Sequence, residues 1–352
     1  MSLSIDGAWT IDGAWSVNDG SGGGSGGVNW ATPYNVDGGS VMFDTSYSGT
    51  NYVTIGSGGY HYSTNATTWS TMGQIPNSGG GLNIYLSTIA YGNGRFVATG
   101  PNGNDTTTYA STSTTGTGSW SSAAQISSSV FYQETKNCLA FGNGTFVLVG
   151  FDPNTTQQGY FSTSTDGSTW TAPTLFNGYS TQWHLSAVIY DGSQFVAVGN
   201  LVGSNYPLYS TSTDGTTWTT PAAMGSLTTA VGAIAYGNGT YVAILNGTSY
   251  STSTNLTSWT TPVSSNSMLT GSIAYGNGQF VAVGSTIVGS LQSATYSVSN
   301  DNGATWTGPT QFPGTSNSYT TQMYSVRYLG SYFIATGREL GGAYNVLVVT
   351  GT

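Results

Sequence analysis

The sequence predicts an all-β protein, and three features of its 352 residues support this. The chain is rich in glycine, with 52 residues, and in aromatic residues, with 24 tyrosines and 10 tryptophans. Trp, Tyr, Val and Ile are separated by Gly, Asn and Ser, a pattern typical of short strands joined by tight turns. The same pattern recurs along most of the chain. With 5% charged and 38% hydrophobic residues, the composition is not that of a charged disordered chain.

The charge balance excludes several kinds of partner. The formal net charge is −9, and the basic residues are Arg95, Lys136, Arg327 and Arg338. A nucleic-acid surface or a polybasic membrane surface needs many more cations, so we expect neither partner. No run approaches the roughly 20 apolar residues of a membrane span, and we expect no membrane insertion. The start, MSLSIDGAWT, lacks the basic and apolar regions of a classical signal peptide.

Cysteine and histidine are too scarce to indicate a metal site or a cofactor. Cys138 is the only cysteine, which excludes a disulfide framework and indicates a buried structural thiol. His61 falls on a third strand and is predicted to lie at the surface, whereas His184 precedes an inner strand. No Asp/His cluster accompanies them, so no metal site is predicted. A structural Ca²⁺ bound through Asp and backbone oxygens stays open.

The recurring unit contains four strands. An apolar strand ends in an aromatic residue and a turn, as in STIAYGNG (87–94), and an aromatic-led strand follows. A third strand of the type YSTST then leads through an Asp–Gly turn to a tryptophan strand. The aromatic-led strand recurs seven times, at 52–56, 96–100, 146–150, 195–199, 241–245, 280–284 and 332–337. Four strands in roughly 40–50 residues are the signature of a propeller blade, so we predict a seven-bladed β-propeller of four-stranded blades.

The ring is predicted to close through an N-terminal strand. The seventh blade ends at YNVLVVTGT (344–352) without a tryptophan strand, while NWATP (29–33) matches TWTAP and TWTTP of the other blades. Residues 28–33 would therefore supply the outer strand of the last blade and leave no free edge. A second register, with SVNDG (16–20) in the same blade, stays open. Residues 1–27, which include a glycine-rich linker, would then form a tether outside the propeller domain of residues 28–352.

The turns divide the predicted propeller into two rims. Asn–Gly and Asp–Gly doublets suit hairpins that need positive φ, and both kinds of turn fall on one side, the hairpin-turn rim. The loops after the second strands and between blades fall on the opposite side, the variable rim. Because variable loops usually carry function, the variable rim is the predicted functional face.

One motif carries a family resemblance. SNDNGATW (299–306) fits the pattern Ser-x-Asp-x-Gly-x-Thr-Trp, while STDGSTW (164–170) and STDGTTW (212–218) are one residue shorter. Residues 28–352 thus resemble Asp-box (BNR, sialidase-like) β-propellers, of the Ser/Thr/Gly-rich kind found in bacteriophage tail and virion proteins. An Asp carboxylate can accept turn amides, and Trp can cover the neighbouring blade. The residues predicted to be structural are Asp166, Asp214, Asp301, Trp170, Trp218 and Trp306.

The sequence favours a binding protein over an enzyme. Sialidases use three arginines, but Arg95 falls on the hairpin-turn rim, and the two others cannot form that triad. A propeller glycosidase needs two carboxylates on one face. The candidates Asp105, Asp152, Glu134 and Glu339 stand in ordinary turn or ion-pair contexts, so no catalytic residue is predicted. Photosystem assembly factors of the same family carry an arginine-rich patch that this chain lacks.

The variable rim combines aromatic rings with neutral hydrogen-bonding groups, which suits sugar rings. The predicted ligand-binding residues are Trp183, His184, Tyr132, Tyr179, Tyr206, Tyr319, Tyr324 and Arg338. We predict a non-enzymatic virion component, a phage tail, fibre or capsid-surface protein, that binds host-surface glycan. Residues 1–27 would dock on other virion proteins, and an oligomer within the assembly is compatible with this. The alternatives are a secreted or cell-surface microbial lectin or adhesin, and a propeller glycoside hydrolase.

Overall fold

The computed structural model describes residues 27–36, 41–57, 59–76, 85–101, 107–126, 137–152, 156–178, 181–266, 268–315, 319–340 and 345–352. Within these ranges, 27 strands form seven antiparallel sheets, and one short 3-10 helix covers Phe176–Gly178. The predicted seven-bladed β-propeller is confirmed.

The blades follow one another along the chain after strand β1 (Tyr34–Val36). Blade 1 contains β2 (Met42–Tyr47), β3 (Tyr52–Gly56) and β4 (Gly59–Ser63). Blade 2 contains β5 (Thr88–Gly92), β6 (Arg95–Pro101), β7 (Thr108–Ser113) and β8 (Ala124–Gln125). Blade 3 contains β9 (Leu139–Gly142), β10 (Thr145–Phe151), β11 (Gly159–Ser164) and β12 (Thr174–Leu175).

Blade 4 contains β13 (Trp183–Tyr190), β14 (Phe195–Leu201), β15 (Pro207–Ser212) and β16 (Ala222–Ala223). Blade 5 contains β17 (Val231–Gly237), β18 (Thr240–Leu245), β19 (Ser249–Ser253) and β20 (Val263–Ser264). Blade 6 contains β21 (Leu269–Gly276), β22 (Gln279–Val288), β23 (Leu291–Ser299) and β24 (Thr310–Gln311). Blade 7 contains β25 (Thr320–Leu329), β26 (Tyr332–Leu340) and β27 (Asn345–Gly351). The aromatic-led segments of the sequence are the second strands of the blades, as predicted.

An N-terminal strand closes the ring, as predicted, but its pairing extends beyond the expected residues 28–33 to Val36. Strand β1 pairs with β27, with Tyr34 opposite Val348, and Trp30 forms a further bridge with Gly351. Blade 7 therefore takes three strands from the end of the chain and its outer strand from residues 29–36. The alternative segment 16–20 lies outside the described residues. A boundary at residue 27 between tether and propeller stays a prediction.

The tryptophans just before the fourth strands pack one blade onto the preceding blade. Trp120 of blade 2 contacts Tyr60 of blade 1, with ring centroids 5.5 Å apart, and Trp306 of blade 6 stacks on Tyr250 of blade 5 at 4.1 Å. Trp30 makes the equivalent contact from blade 7 to Tyr296 of blade 6, at 5.6 Å. This is why NWATP resembles the other tryptophan strands: its tryptophan fills the same inter-blade position.

Turn residues join neighbouring blades on the hairpin-turn rim. The Asn51 and Asn93 amides donate to the carbonyls of Thr115 and Thr165 in the next blade, at 3.0 and 2.9 Å. The first turn of one blade thus meets the Asp-box turn of the next, which confirms that both turns share a rim. Blade 4 has Asp191 in place of the asparagine, and the Tyr241 hydroxyl of blade 5 donates to it at 2.5 Å.

The Asp-box carboxylates hold their own turns together. Asp166 Oδ1 accepts the backbone N–H groups of Thr169 and Ser168 at 2.7 and 2.8 Å, and Trp170 Nε1 donates to the turn carbonyl of Gly167 at 3.0 Å. The two backbone hydrogen bonds, from Thr169 and then Ser168, lower the pKa of Asp166 to about 2. Blade 5 makes the same turn with Asn255, whose amide oxygen accepts equivalent backbone donors at 3.0 and 2.9 Å. The turn therefore needs an acceptor oxygen at this position, not a charge.

Two expectations about single residues have different outcomes. Cys138 is fully buried, as expected of a structural thiol. The expectation that His61 lies at the surface is wrong, because its side chain has no exposed area. His61 lies on β4 between Tyr60, which is buried, and Tyr62, which is half-buried, and its Nδ1 lies 2.8 Å from the carbonyl oxygen of Ser70.

Candidate functional site

Blades 6 and 7 contain the longest described strands, and these reach toward the variable rim. The hairpins β22–β23 and β25–β26 consist of strands of nine or ten residues, whereas the first three strands of blades 1 to 5 have four to eight residues. A β-bulge interrupts β25 between Met323 and Ser325, and another interrupts β2 of blade 1 between Met42 and Asp44. Because bulges re-aim side chains, the residues inserted there, Tyr324 and Phe43, are displaced from the regular ladder.

A cluster of aromatic and amide side chains surrounds Arg338 at this place, and we call it the Tyr324–Arg338 cluster. The Arg338 guanidinium lies 5.5 Å from the centroid of the Tyr324 ring, and its Nε and Nη2 donate to Gln322 Oε1 at 3.2 and 3.0 Å. The Tyr324 hydroxyl donates to the same oxygen at 2.8 Å. Gln322 Nε2 in turn donates to Gln292 of blade 6, and Phe43 of blade 1 lies 6.0 Å from Tyr324. The cluster thus spans three blades.

The surroundings of Tyr324 keep its hydroxyl neutral. Burial raises the pKa of Tyr324, and the neighbouring Arg338 opposes that rise only in part. The Nη1 group of Arg338 has no hydrogen-bond partner within the described ranges. The cluster can therefore offer a ligand a guanidinium, amide groups and aromatic surface without a change of protonation near neutral pH.

A second aromatic pair lies on the variable rim between blades 3 and 4. His184 and Phe151 face each other with centroids 4.2 Å apart and an interplanar angle of 32°. Trp183, the preceding residue, is only 1% exposed and packs edge-on against Phe176 at 4.9 Å. The structure therefore places Trp183 in the core, because alternate side chains of β13 point to opposite faces. Trp183 cannot offer its ring face to a ligand in this conformation, in contrast to the sequence-based expectation.

The remaining predicted ligand residues are dispersed. Tyr206 is 51% exposed on blade 4, and Tyr319 is 42% exposed at the start of β25. Tyr132 and Tyr179 lie outside the described residues. Of the predicted set, the structure brings only Tyr324 and Arg338 into direct contact among the residues it describes. Gln322 and Gln292 were not among the predicted ligand-binding residues, although both stand among neutral polar residues next to predicted strands.

Among the described residues, the arginines and carboxylates do not converge on one centre. Arg95 donates to the carbonyl of Asp166 on the hairpin-turn rim at 3.0 Å, whereas Arg327 pairs with Asp44 at 2.9 Å. Asp152 follows the second strand of blade 3 and Glu339 lies in blade 7, so these carboxylates belong to blades that are not neighbours. Asp105 and Glu134 lie outside the described residues. In the ranges that the structure describes, no three His, Cys, Asp or Glu side chains gather to hold a metal.

The centre of the ring contains a cavity of about 380 Å³ lined by the first strands of all seven blades. Six aromatic residues, one from each of blades 2–7, line one part of it: Tyr91, Phe141, Tyr190, Tyr236, Tyr275 and Tyr328. Four of these rings, those of Phe141, Tyr190, Tyr275 and Tyr328, lie against the glycine that ends the first strand of the preceding blade. A Cβ at Gly237, for example, would lie 1.9 Å from the Tyr275 ring, so only glycine fits there.

An ion pair lies in the wall of this cavity. Asp44 of blade 1 is fully buried, and its two oxygens accept Nε and Nη2 of Arg327 of blade 7, each at 2.9 Å. Asp44 also accepts hydrogen bonds from the hydroxyls of Ser325 and Thr88, at 2.9 and 3.1 Å, and from the backbone N–H of Ile89 at 3.2 Å. Although burial acts to lower it, Asp44 raises the pKa of Arg327 above its ordinary value. The carboxylate joins blades 7, 1 and 2.

The fold and these surfaces define a β-propeller whose sheets position candidate sites on one rim and at the centre. No protein-family model and no curated protein sequence matches the chain. No helix in the described part of the chain is long and apolar enough to cross a bilayer.

Proteins of known structure share this fold. A structure of YCF48 bound to D1 peptide matches with a TM-score of 0.61 at 15% identity, over 90% of this chain and 94% of that chain. The WD40 β-propeller domain of Doa1 matches with a TM-score of 0.59 at 12% identity, over 92% of this chain and 97% of that chain. Trypanosoma rangeli sialidase matches with a TM-score of 0.49 at 14% identity, over 90% of this chain and 60% of that chain. At such identities the likeness shows the propeller fold alone.

Proposed function

We propose that this propeller is a non-enzymatic binding protein of a virus particle, a phage tail, fibre or capsid-surface component, and that its variable rim binds host-surface glycan. The Tyr324–Arg338 cluster is the observation that supports binding at this rim. Residues 1–27 would attach the propeller to other virion proteins through the tandem IDGAWTIDGAWS (5–16) and the glycine-rich linker that follows it. The support for attachment to a particle comes from the sequence alone.

The chemistry of the cluster suits a sugar. Sugar rings offer C–H faces, which pack on aromatic rings, and hydroxyls, which bond to amide and guanidinium groups. Arg338 donates hydrogen bonds from Nε and Nη2 to Gln322, and these fix the orientation of the guanidinium before a ligand binds. Less side-chain conformational entropy is therefore lost on binding. With one arginine in a protein of net charge −9, the cluster suits a neutral sugar or one with a single carboxylate, not a polyanion.

A glycan array with the full chain and with Arg338→Gln tests the proposed binding. Arg95→Gln is the matched control, because Arg95 lies on the opposite rim and also donates to an uncharged oxygen. We expect Arg338→Gln to weaken binding about tenfold, the worth of one charge-assisted hydrogen bond, and Arg95→Gln to leave it unchanged. Tyr206→Ala tests whether the ligand contacts blade 4 instead of the Tyr324–Arg338 cluster, since Tyr206 belongs to blade 4. Absence of binding by the wild-type chain, or equal loss in both arginine variants, contradicts the proposal.

Two further measurements separate the alternatives. Recovery of the protein from purified particles supports the virion role, whereas recovery from culture medium supports a secreted lectin or adhesin. Deletion of residues 1–27 should abolish incorporation into particles if this segment is the tether. Release of reducing sugar from a bound polysaccharide, abolished by Glu339→Gln or Asp152→Asn, would instead support a glycoside hydrolase. The structure of YCF48 is of a complex with D1 peptide, so binding of peptides to this chain should be measured beside binding of glycans.

A further inference from the structure

We propose that the central cavity is a second binding site, which takes a small ligand with one carboxylate and a ring-shaped body, and that Arg327 binds the carboxylate. The site lies at the axis of the ring and uses none of the residues of the Tyr324–Arg338 cluster. It is therefore independent of the proposed glycan binding.

The cavity exists because the residue before each inner-strand aromatic is small in most blades. In blades 1 to 6 this position is occupied by Ser46, Ala90, Ala140, Ile189, Ala235 and Ala274, and in blade 7 it is occupied by Arg327. All seven line the cavity. The four alanines leave space across the axis from the only blade that supplies a cation at this position. A space of about 380 Å³ lies within the range of small-molecule sites.

Arg327 retains hydrogen-bonding capacity toward this space. A guanidinium has five N–H donors, and Asp44 accepts one from Nε and one from Nη2. The remaining three have no acceptor among the residues that the structure describes, and the side chain is 29% exposed. A guanidinium with free N–H groups in a confined space favours a planar oxyanion such as a carboxylate.

The ion pair with Asp44 does not remove this capacity. Asp44 accepts four hydrogen bonds from donors other than Arg327: the backbone N–H groups of Thr45 and Ile89 and the hydroxyls of Thr88 and Ser325. The Asp44 carboxylate is thus stabilised largely by the scaffold, and it fixes the guanidinium in orientation. A pre-oriented guanidinium binds a second carboxylate at less cost in side-chain entropy.

The rest of the lining selects the body of the ligand. Apart from Thr45, Ser46 and Arg327, the lining consists of Ala, Ile, Leu, Val, Phe and Tyr. Aromatic rings on several sides suit a ring-shaped body, and polar atoms exposed in the lining accommodate polar substituents on it. The overall acidity of the protein disfavours a ligand with several negative charges. A small aromatic monocarboxylate fits the cation, the rings and the net charge.

Fluorine NMR with fluorobenzoate as the probe tests the site in the full chain, and fluorobenzyl alcohol is the uncharged control. We expect fluorobenzoate to bind at millimolar concentration or below, and fluorobenzyl alcohol at least tenfold more weakly, because it cannot make the charge-assisted hydrogen bonds. Arg327→Gln should weaken fluorobenzoate by a similar factor. Arg95→Gln is the matched control and should have no effect.

A cavity-filling variant keeps the test decisive if Arg327→Gln does not fold. Ala140 of blade 3 also lines the cavity, and no described residue of blade 3 bonds to the ion pair, so Ala140→Leu should fill the space and abolish probe binding while the melting transition is retained. Absence of fluorobenzoate binding to the wild-type chain overturns the proposal. Equal binding of the two probes, or binding unaffected by Ala140→Leu, overturns it as well.

Discussion

Replacement of Asp44 by Asn should destabilise the ring at its point of closure. Asp44 accepts six hydrogen bonds from five residues, two of them from Arg327, and has no exposed area. An asparagine of the same shape presents one NH₂ group in place of an oxygen. Both oxygens of Asp44 accept hydrogen bonds, so the NH₂ group would face N–H or O–H donors in either orientation of the amide. It would also leave Arg327 charged and without its counter-ion.

The cost follows from the burial of the pair. Breaking a buried ion pair by removing one partner costs about 3–5 kcal/mol, because the other charge is left uncompensated. Arg327→Met should cost less, about 2–3 kcal/mol, since Asp44 then keeps four scaffold hydrogen bonds. The double variant should cost less than the sum of the single variants by about 2 kcal/mol, because it leaves no unpaired charge.

Denaturant unfolding followed by tryptophan fluorescence measures these free energies of unfolding. The double-mutant cycle requires the wild-type chain, Asp44→Asn, Arg327→Met and the double variant at one pH and salt concentration. A cost below about 1 kcal/mol for Asp44→Asn would be that of an exposed pair and would refute the argument. Strictly additive costs would refute it too, since they would show that the two residues do not interact.

Other predictions concern the Asp-box turns. Gly167 and Gly144 both have positive φ, 68° and 75°, but a Cβ at Gly167 would lie 2.2 Å from Val97 Cγ2, whereas one at Gly144 meets nothing within 4 Å. Gly167→Ala should therefore cost about 1–3 kcal/mol more than Gly144→Ala in denaturant unfolding, and equal costs would contradict the clash. Asp166 has a folded pKa of about 2, below its unfolded value of 3.8, so its contribution to stability is complete above pH 4 and is lost as the pH falls toward 2. Asp166→Asn, which copies the natural Asn255 turn, should fold normally at neutral pH and lose less stability than the wild-type chain over this acid range. Carboxyl-carbon NMR titration checks the pKa, and a value near 4 would contradict the turn hydrogen bonds as its cause.

The repeats explain why so much of the fold is predictable. Each blade must form its own hairpins and cover its neighbour, so the Asn–Gly turn, the Asp–Gly turn and the tryptophan recur at fixed places in the sequence. Trp30 shows how far this local signal reaches. The short match of NWATP to other tryptophan strands identified the closing strand from residues at the opposite end of the chain, and the packing of Trp30 on Tyr296 explains the match.

Exposure of single aromatic side chains was less predictable. Trp183 and His184 are adjacent, yet Trp183 is buried and His184 is half-buried against Phe151. A shift of one residue in a strand exchanges its two faces, so a small error in the start of β13 reverses the expectation. His61 was misjudged for a different reason, since Tyr60 and His61 are both buried and both faces of β4 are therefore covered. First-strand bulges recur in blades 1, 4, 5, 6 and 7, and the residue inserted there changes from blade to blade, with Phe43 and Tyr324 as the aromatic cases.

The sequence by itself determined the all-β class, the seven blades, the closing strand and the two rims, because each depends on local turns and a repeated period. Only the tertiary structure decided that Asp44 and Arg327, 283 residues apart, form one ion pair, and that Tyr324, Arg338 and Gln292 share one cluster. These groups meet because closure of the ring brings the first and last blades together, and bulges and long strands then set the direction of each side chain. Such contacts depend on distances between blades, which no single repeat encodes.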